Sequence, residues 1–284
     1  MNFILNEKSL DGQFQDEEQF ILSLGPIATS IRIIHEYTNI QIYKIKNLCD
    51  YKITKDKRLL ELKQFGNTDE LVRFKKILDD EIYDDPYWDD DPHHDIGEEF
   101  LFEGKDVTAT SLAEAAVTGD TLLSFKLDKF VDNILDIKTL HNTFKVSSIY
   151  TPKYLLELYD DIIGIDGKSM LMIRYKDTRI DCSLLEGKYG VSILEKDEIH
   201  ELLLTFDKFV KHESWENIML DDGLEYKKYS PASEKVNWFK GSKYSQKNIM
   251  KFRFSSVLRC YGYRKGEVFR VLRFERDHKI SDNG

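Results

Sequence analysis

Apolar positions along this chain recur in two rhythms, and the rhythm changes from one stretch to the next. Over residues 16–35, Phe20, Ile21, Leu24, Ile27, Ile31 and Ile34 fall three and four apart, the spacing of one helix face. Pro26 inside that run has no amide hydrogen to donate, so it predicts a kink or a split. Residues 2–14 read as a short strand closing at the turn dipeptide Asp11-Gly12. Residues 41–45 alternate polar and apolar, as a half-buried strand does. Asn67, Thr68, Asp69 and Glu70 supply caps for a helix to about residue 82, with Leu71, Phe74, Ile77 and Leu78 as its apolar stripe. Thr110 or Ser111 caps a short helix that Gly119 stops, and residues 121–125 form an apolar strand. Strand and helix thus alternate over residues 1–150, which predicts a layered α/β domain.

The second half has another texture. Residues 169–194 look strand-rich, with runs over 170–175, 179–184 and 191–194. Residues 195–211 are amphipathic and helical, carrying Ile199, Leu202, Leu203, Phe206 and Val210. A short helix over 214–220 follows and ends at Asp221-Asp222-Gly223. Residues 230–248 read as a polar, basic loop that holds Trp238 and Phe239. Three strands close the chain, over 250–254, 257–263 and 267–275, the last two joined by the turn Lys265-Gly266-Glu267. The expected fold class is α+β: an acidic α/β domain over 1–150, then a domain over 151–284 with two helices and an antiparallel sheet.

Charge sharpens this division. Residues 223–284 hold 15 Lys+Arg against 6 Asp+Glu, a net of +9, while residues 1–222 hold 26 against 45, a net of −19. A compact cationic segment attracts polyanions, chiefly nucleic acid, in a salt-dependent way. The three cysteines, Cys49, Cys182 and Cys260, are too far apart for a zinc or disulfide pattern and read as reduced thiols. No apolar run is long enough to cross a membrane, so a cytoplasmic protein is expected. Neither phosphate-loop nor dinucleotide-binding glycine patterns occur, and neither a cofactor nor a resident metal is called for.

Arg253, Arg259, Arg264, Arg270, Arg273 and Arg276 fall on or beside the three final strands, and Lys240, Lys243, Lys247 and Lys251 lead into them. Tyr261, Tyr263 and Phe269 alternate with the arginines, and His278 follows the last strand. Guanidinium forks grip phosphate and aromatic faces stack unpaired bases. Metal-free RNA cleavage needs cations at the phosphate and a group that moves protons. The expected roles are Arg253, Arg259 and Arg270 on phosphate, His278 as general acid or base, and Tyr261 or Tyr263 beneath a base. Lys240, Lys243, Lys251, Arg264 and Arg273 would line the path of the nucleic acid. The bland alternative is a solvated cationic sheet face with one surface histidine.

The order of helices and strands, with Gly223-Leu224, Arg253, Arg259 and Asp277-His278 at matching positions, resembles the RelE/HigB-like toxin superfamily of the barnase–colicin–RelE type of fold. The resemblance covers roughly residues 195–282, and the 230–248 loop is longer than such domains have. It implies a metal-independent endoribonuclease acting in growth arrest or phage defence, with RNA, the ribosome and an inhibitor protein as partners. A non-catalytic protein whose basic sheet binds nucleic acid or an acidic partner is the alternative.

Between residues 79 and 99, 11 of 21 residues are acidic, with Pro86, Tyr87, Trp88, Pro92, His93 and His94 among them. An exposed loop is expected. Asp84, Asp85, Asp89, Asp90, Asp91, His93, His94 and Asp95 leave three readings open: a solvated loop, a divalent-metal site, or a nucleic-acid mimic covering the basic sheet. Residues 108–125 are similar to the end of a PIN-type nuclease domain, which holds Mg²⁺ or Mn²⁺ on acidic residues. That gives a third function, a metal-dependent nuclease in the N-terminal domain, although Asn6-Glu7 stands where an aspartate is wanted.

Overall fold

The computed structural model describes residues 1–64, 85–277 and 280. The helix expected over 67–82, Asp84 and His278 lie outside them. The fold is α+β with two sheets, and the chain forms two compact units, Met1–Gly164 and Ile165–Gly284.

In the first unit, α1 (Glu17–Tyr37) starts where the Asp16 carboxylate accepts the Gln19 amide. Its buried stripe is Phe20, Leu24, Ile27, Ile31 and Ile34, as the spacing predicts. Pro26 does not split it. The helical acceptor that proline leaves without a donor belongs to Leu22, which is 71% exposed, so the lost bond falls on the solvent side. The strands are β1 (Phe3–Asn6), β2 (Ile42–Tyr43), β3 (Leu101–Phe102), β4 (Lys105–Asp106), β5 (Thr121–Ser124), β6 (Asn133–Lys138) and β7 (Thr143–Ile149). They form one sheet in the order β2-β1-β5-β7-β6-β3-β4, parallel from β2 to β7 and antiparallel beyond. α2 (Ser111–Thr118) packs on β1, β5 and β7. Thr110 caps it, and Gly119 at φ +71° closes it in the left-handed conformation that glycine adopts without a Cβ penalty. The hairpin of β6 and β7 and the helix α3 (Pro152–Ile163) had no counterpart in the sequence pattern. α3 packs against α1, which puts the end of this unit at Gly164 rather than at residue 150.

In the second unit the stretch expected as three strands is mostly helical. α4 (Gly167–Arg174) forms because Asp166 caps the amides of Lys168 and Ser169, both at 3.1 Å. Only β8 (Ile180–Asp181) remains as strand, and residues 191–193 make a single tight turn. α5 (Lys196–Lys211) begins with a capping box, Glu195 and Glu198 each closing on the other's backbone, and buries Leu202, Phe206 and Phe209. α6 (Trp215–Leu220) follows, capped by Ser214. The sheet runs β8-β12-β11-β10-β9, from β9 (Lys227–Lys228), β10 (Met250–Arg253), β11 (Arg259–Lys265) and β12 (Val268–Glu275). It is antiparallel except for β8, which lies parallel to β12.

Each face of this sheet has its own cover. Phe252, Phe269 and Phe274 meet Phe206 and Phe209 of α5, with ring centroids 5.0–6.3 Å apart. The opposite face carries Tyr261 and Leu272. Residues 229–249 pack over it with Tyr229, Phe239, Tyr244 and Ile249, all buried. The expected polar loop is therefore half of a hydrophobic core. Gly262 sits at a register shift of β11. A Cβ there would lie 2.2 Å from the Arg270 carbonyl oxygen and 2.7 Å from the Phe269 ring, so glycine alone fits.

Candidate nucleic-acid interface

Strand alternation gathers the predicted residues as the sequence suggests. Lys251, Tyr261 and Arg273 are cross-strand neighbours, and so are Arg253, Arg259 and Glu275; Tyr263 pairs with Arg270. They share one face. That face, however, is the one beneath residues 229–249, and this overturns several expected roles.

Tyr261 is fully buried. Its ring meets Tyr229 and Trp238 edge-on at 5.4 and 5.2 Å, and its hydroxyl donates to Glu275 Oε2 at 2.7 Å. It has no face for a base. Lys251, Arg259 and Arg273 are 4%, 8% and 6% exposed, so no strand of nucleic acid reaches them in this conformation. Arg259 donates to the carbonyls of Ser255, Ser256 and Leu258 and so closes the turn between β10 and β11. Arg273 pairs with Glu186, donates to the Trp238 carbonyl, and lies 4.5–5.1 Å from the ring centres of Tyr189, Trp238 and Phe239. It rivets the cover to the sheet.

The more exposed arginines are also committed. Arg253 pairs with Glu225 at 2.8 Å and donates to the Asp222 and Gly223 carbonyls. Arg264 meets Glu267 and lies over Trp215, 4.2 Å from the ring centre. Arg270 faces Asp181 at 3.7 Å, and Arg276 pairs with Glu195 and Glu198. The hydrogen bonds that it donates to Glu198 and Glu195 raise the Arg276 guanidinium above its ordinary value. Asp181, Glu186, Glu195 and Glu198 precede residue 223, which explains why the charge count misled. The second unit as a whole holds 23 Lys+Arg against 19 Asp+Glu, a net of +4.

The lysines differ. Lys228, Lys235, Lys240, Lys243, Lys247 and Lys265 are exposed and make no ion pair among the described residues. Lys227, beside Lys228 on the edge strand β9, reaches Glu225 only at 3.7 Å. Lys243 and Lys247 stand over the rings of Tyr244 and Tyr263 at 5.1 and 5.5 Å. Of the expected residues, Lys240, Lys243 and the half-buried Tyr263 thus keep a surface role. Lys227, Lys228 and Lys235 were overlooked because they fall outside the alternating strands, yet their clustering between residues 227 and 247 was visible.

A second polar centre lies in the first unit. The buried Glu114, on the first turn of α2, accepts Nδ1 of both His93 and His94 at 2.7 Å, and both of their backbone amides. Burial would raise its carboxyl, but these hydrogen bonds outweigh burial and hold it below the ordinary value. Glu7, directly after β1, takes the Ser111 amide at 2.9 Å, and burial pushes its carboxyl up. His94 and Trp88 are buried and Lys46 binds Asp89 and Asp90, so residues 85–95 are anchored at these points, while Asp85, Asp90, Asp91, His93 and Asp95 are exposed as expected of a loop. Ser111 Oγ and His94 Nε2 make no hydrogen bond to each other, so serine and imidazole are not joined as a nucleophile and base. No group of three or more His, Cys, Asp or Glu among the described residues is placed to hold a metal ion. No helix among them is long and apolar enough to cross a membrane.

Comparison with protein-family models, with curated proteins and with solved structures finds no match.

Proposed function

We propose that the second unit binds a polyanion, with nucleic acid as the class, through the lysines of β9 and of the 229–249 segment. The observation that carries this is a division among cations. The six arginines of the sheet are held by protein carboxylates and carbonyls, while six lysines face solvent with no ion pair among the described residues. Surface lysine is a strongly hydrated point charge suited to phosphate contact without sequence readout. Binding without cleavage is the reading this arrangement favours. Tyr261, Arg253, Arg259 and Arg273 are already spent on the fold.

The test is fluorescence anisotropy of a labelled single-stranded RNA with the full chain across a salt series, in EDTA, with a gel of the RNA afterwards. Each lysine on phosphate adds about 0.7 to the slope of log affinity against log salt on single strands. Replacing Lys228, Lys235, Lys240, Lys243 and Lys247 by Gln is expected to weaken binding and flatten that slope by up to about 3.5. A parent slope near zero, or a variant that binds like the parent, would sink the proposal. Shortened RNA would return the cleavage reading.

A further inference from the structure

With Tyr261 buried, the surface needs another partner for a base: we infer that Tyr189 and Trp238, a partly buried pair, stack an unpaired base of a single-stranded nucleic acid. The inference rests on the polyanion reading above and deepens it. Tyr189 ends the tight turn Gly187–Tyr189 after β8, and Trp238 stands on the 229–249 segment; they lie 84 and 35 residues before Arg273 in sequence, yet both rings meet its guanidinium. Their ring centres are 5.0 Å apart, edge to face, and both residues are partly buried rather than fully so.

Both rings are held firmly from behind. The buried Arg273 guanidinium lies 4.8 Å from Tyr189 and 5.1 Å from Trp238. Its bond to Glu186 and the Glu186 amide on the Leu272 carbonyl at 2.9 Å fix the turn that carries Tyr189. The Trp238 amide is fixed by the Tyr229 hydroxyl at 3.0 Å. Rings pinned this way lose little freedom when a base arrives. Lys188 is exposed, with Nζ 5.3 Å from the Tyr189 ring centre, and Lys240 is exposed two residues beyond Trp238. Aromatic faces with flanking cations suit single strands, because only an unpaired base has a face to offer.

Trp238 also supplies the probe. The other two tryptophans, Trp88 and Trp215, are 6% and 2% exposed, so quenching by a bound base reports on Trp238. The experiment titrates the full chain with a single-stranded oligouridylate of about 12 nucleotides, within the range one small module spans. An abasic strand of equal length and charge, and a duplex, run beside it. Expected are quenching by the oligouridylate alone, weaker binding of the duplex, and about 10-fold weaker binding of the oligouridylate, but not of the abasic strand, by Tyr189→Leu. Thermal unfolding of the variant checks that its fold is intact. Equal affinity and equal quenching by both strands, or an unchanged Tyr189→Leu, would overturn the stacking inference and leave the lysine surface standing. No binding of either strand would overturn both.

Discussion

At the residue scale, Asp221 shows how a charge that ends a helix comes to hold three parts of the second unit together. Its carboxylate takes Lys208 at 2.7 Å, His212 at 2.8 Å and the Gly223 amide at 2.8 Å. Burial opposes ionisation, but these donors win and hold the group down at about 2. A carboxyl depressed on folding stabilises above its unfolded value, about 4, and that contribution fades as pH falls toward 2. The stability gap between the parent and Asp221→Asn, measured by urea unfolding, should therefore be widest above pH 4 and close through this window. A gap that stays constant with pH would mean that the ion pairs do not supply it. Sequence reading saw Asp221-Asp222-Gly223 only as a helix stop, because donors 9 and 13 residues away leave no local mark.

At the element scale, the sheet of the second unit depends on a close approach. Gly262→Ala must displace backbone or the Phe269 ring, and overpacking of this kind costs about 1–3 kcal/mol. Thermal unfolding should register it, and an unchanged midpoint would refute the bulged register of β11 and β12. The closing strands, α5 and α6 were legible because alternation and capping agree with burial there. The common face of Arg253, Arg259, Tyr261 and Lys251 was legible for the same reason. What covers that face was not, since residues 229–249 have a polar composition and only four buried anchors. Residues 170–175 misled in the other direction: an apolar run fits strand or helix equally, and the Asp166 cap decides for helix.

At the scale of the whole molecule, charge is sorted more finely than a count by sequence suggests. The first unit is strongly acidic, with 18 Lys+Arg against 32 Asp+Glu, while the second carries its small excess as surface lysine. Two of those lysines lie on β9, the outermost strand of its sheet, and both are exposed. An outer strand offers unsatisfied amides and carbonyls to any other strand that approaches, and paired ammonium groups make a second copy of the same edge repel the first. Lys227→Thr with Lys228→Thr keeps strand propensity and removes that repulsion. Light scattering should then show concentration-dependent association that the parent lacks, and a variant that stays monomeric would show that the edge is guarded by something else. The same two side chains would thus serve solubility as well as phosphate contact, so a protein that had lost its polyanion would still be under pressure to keep them.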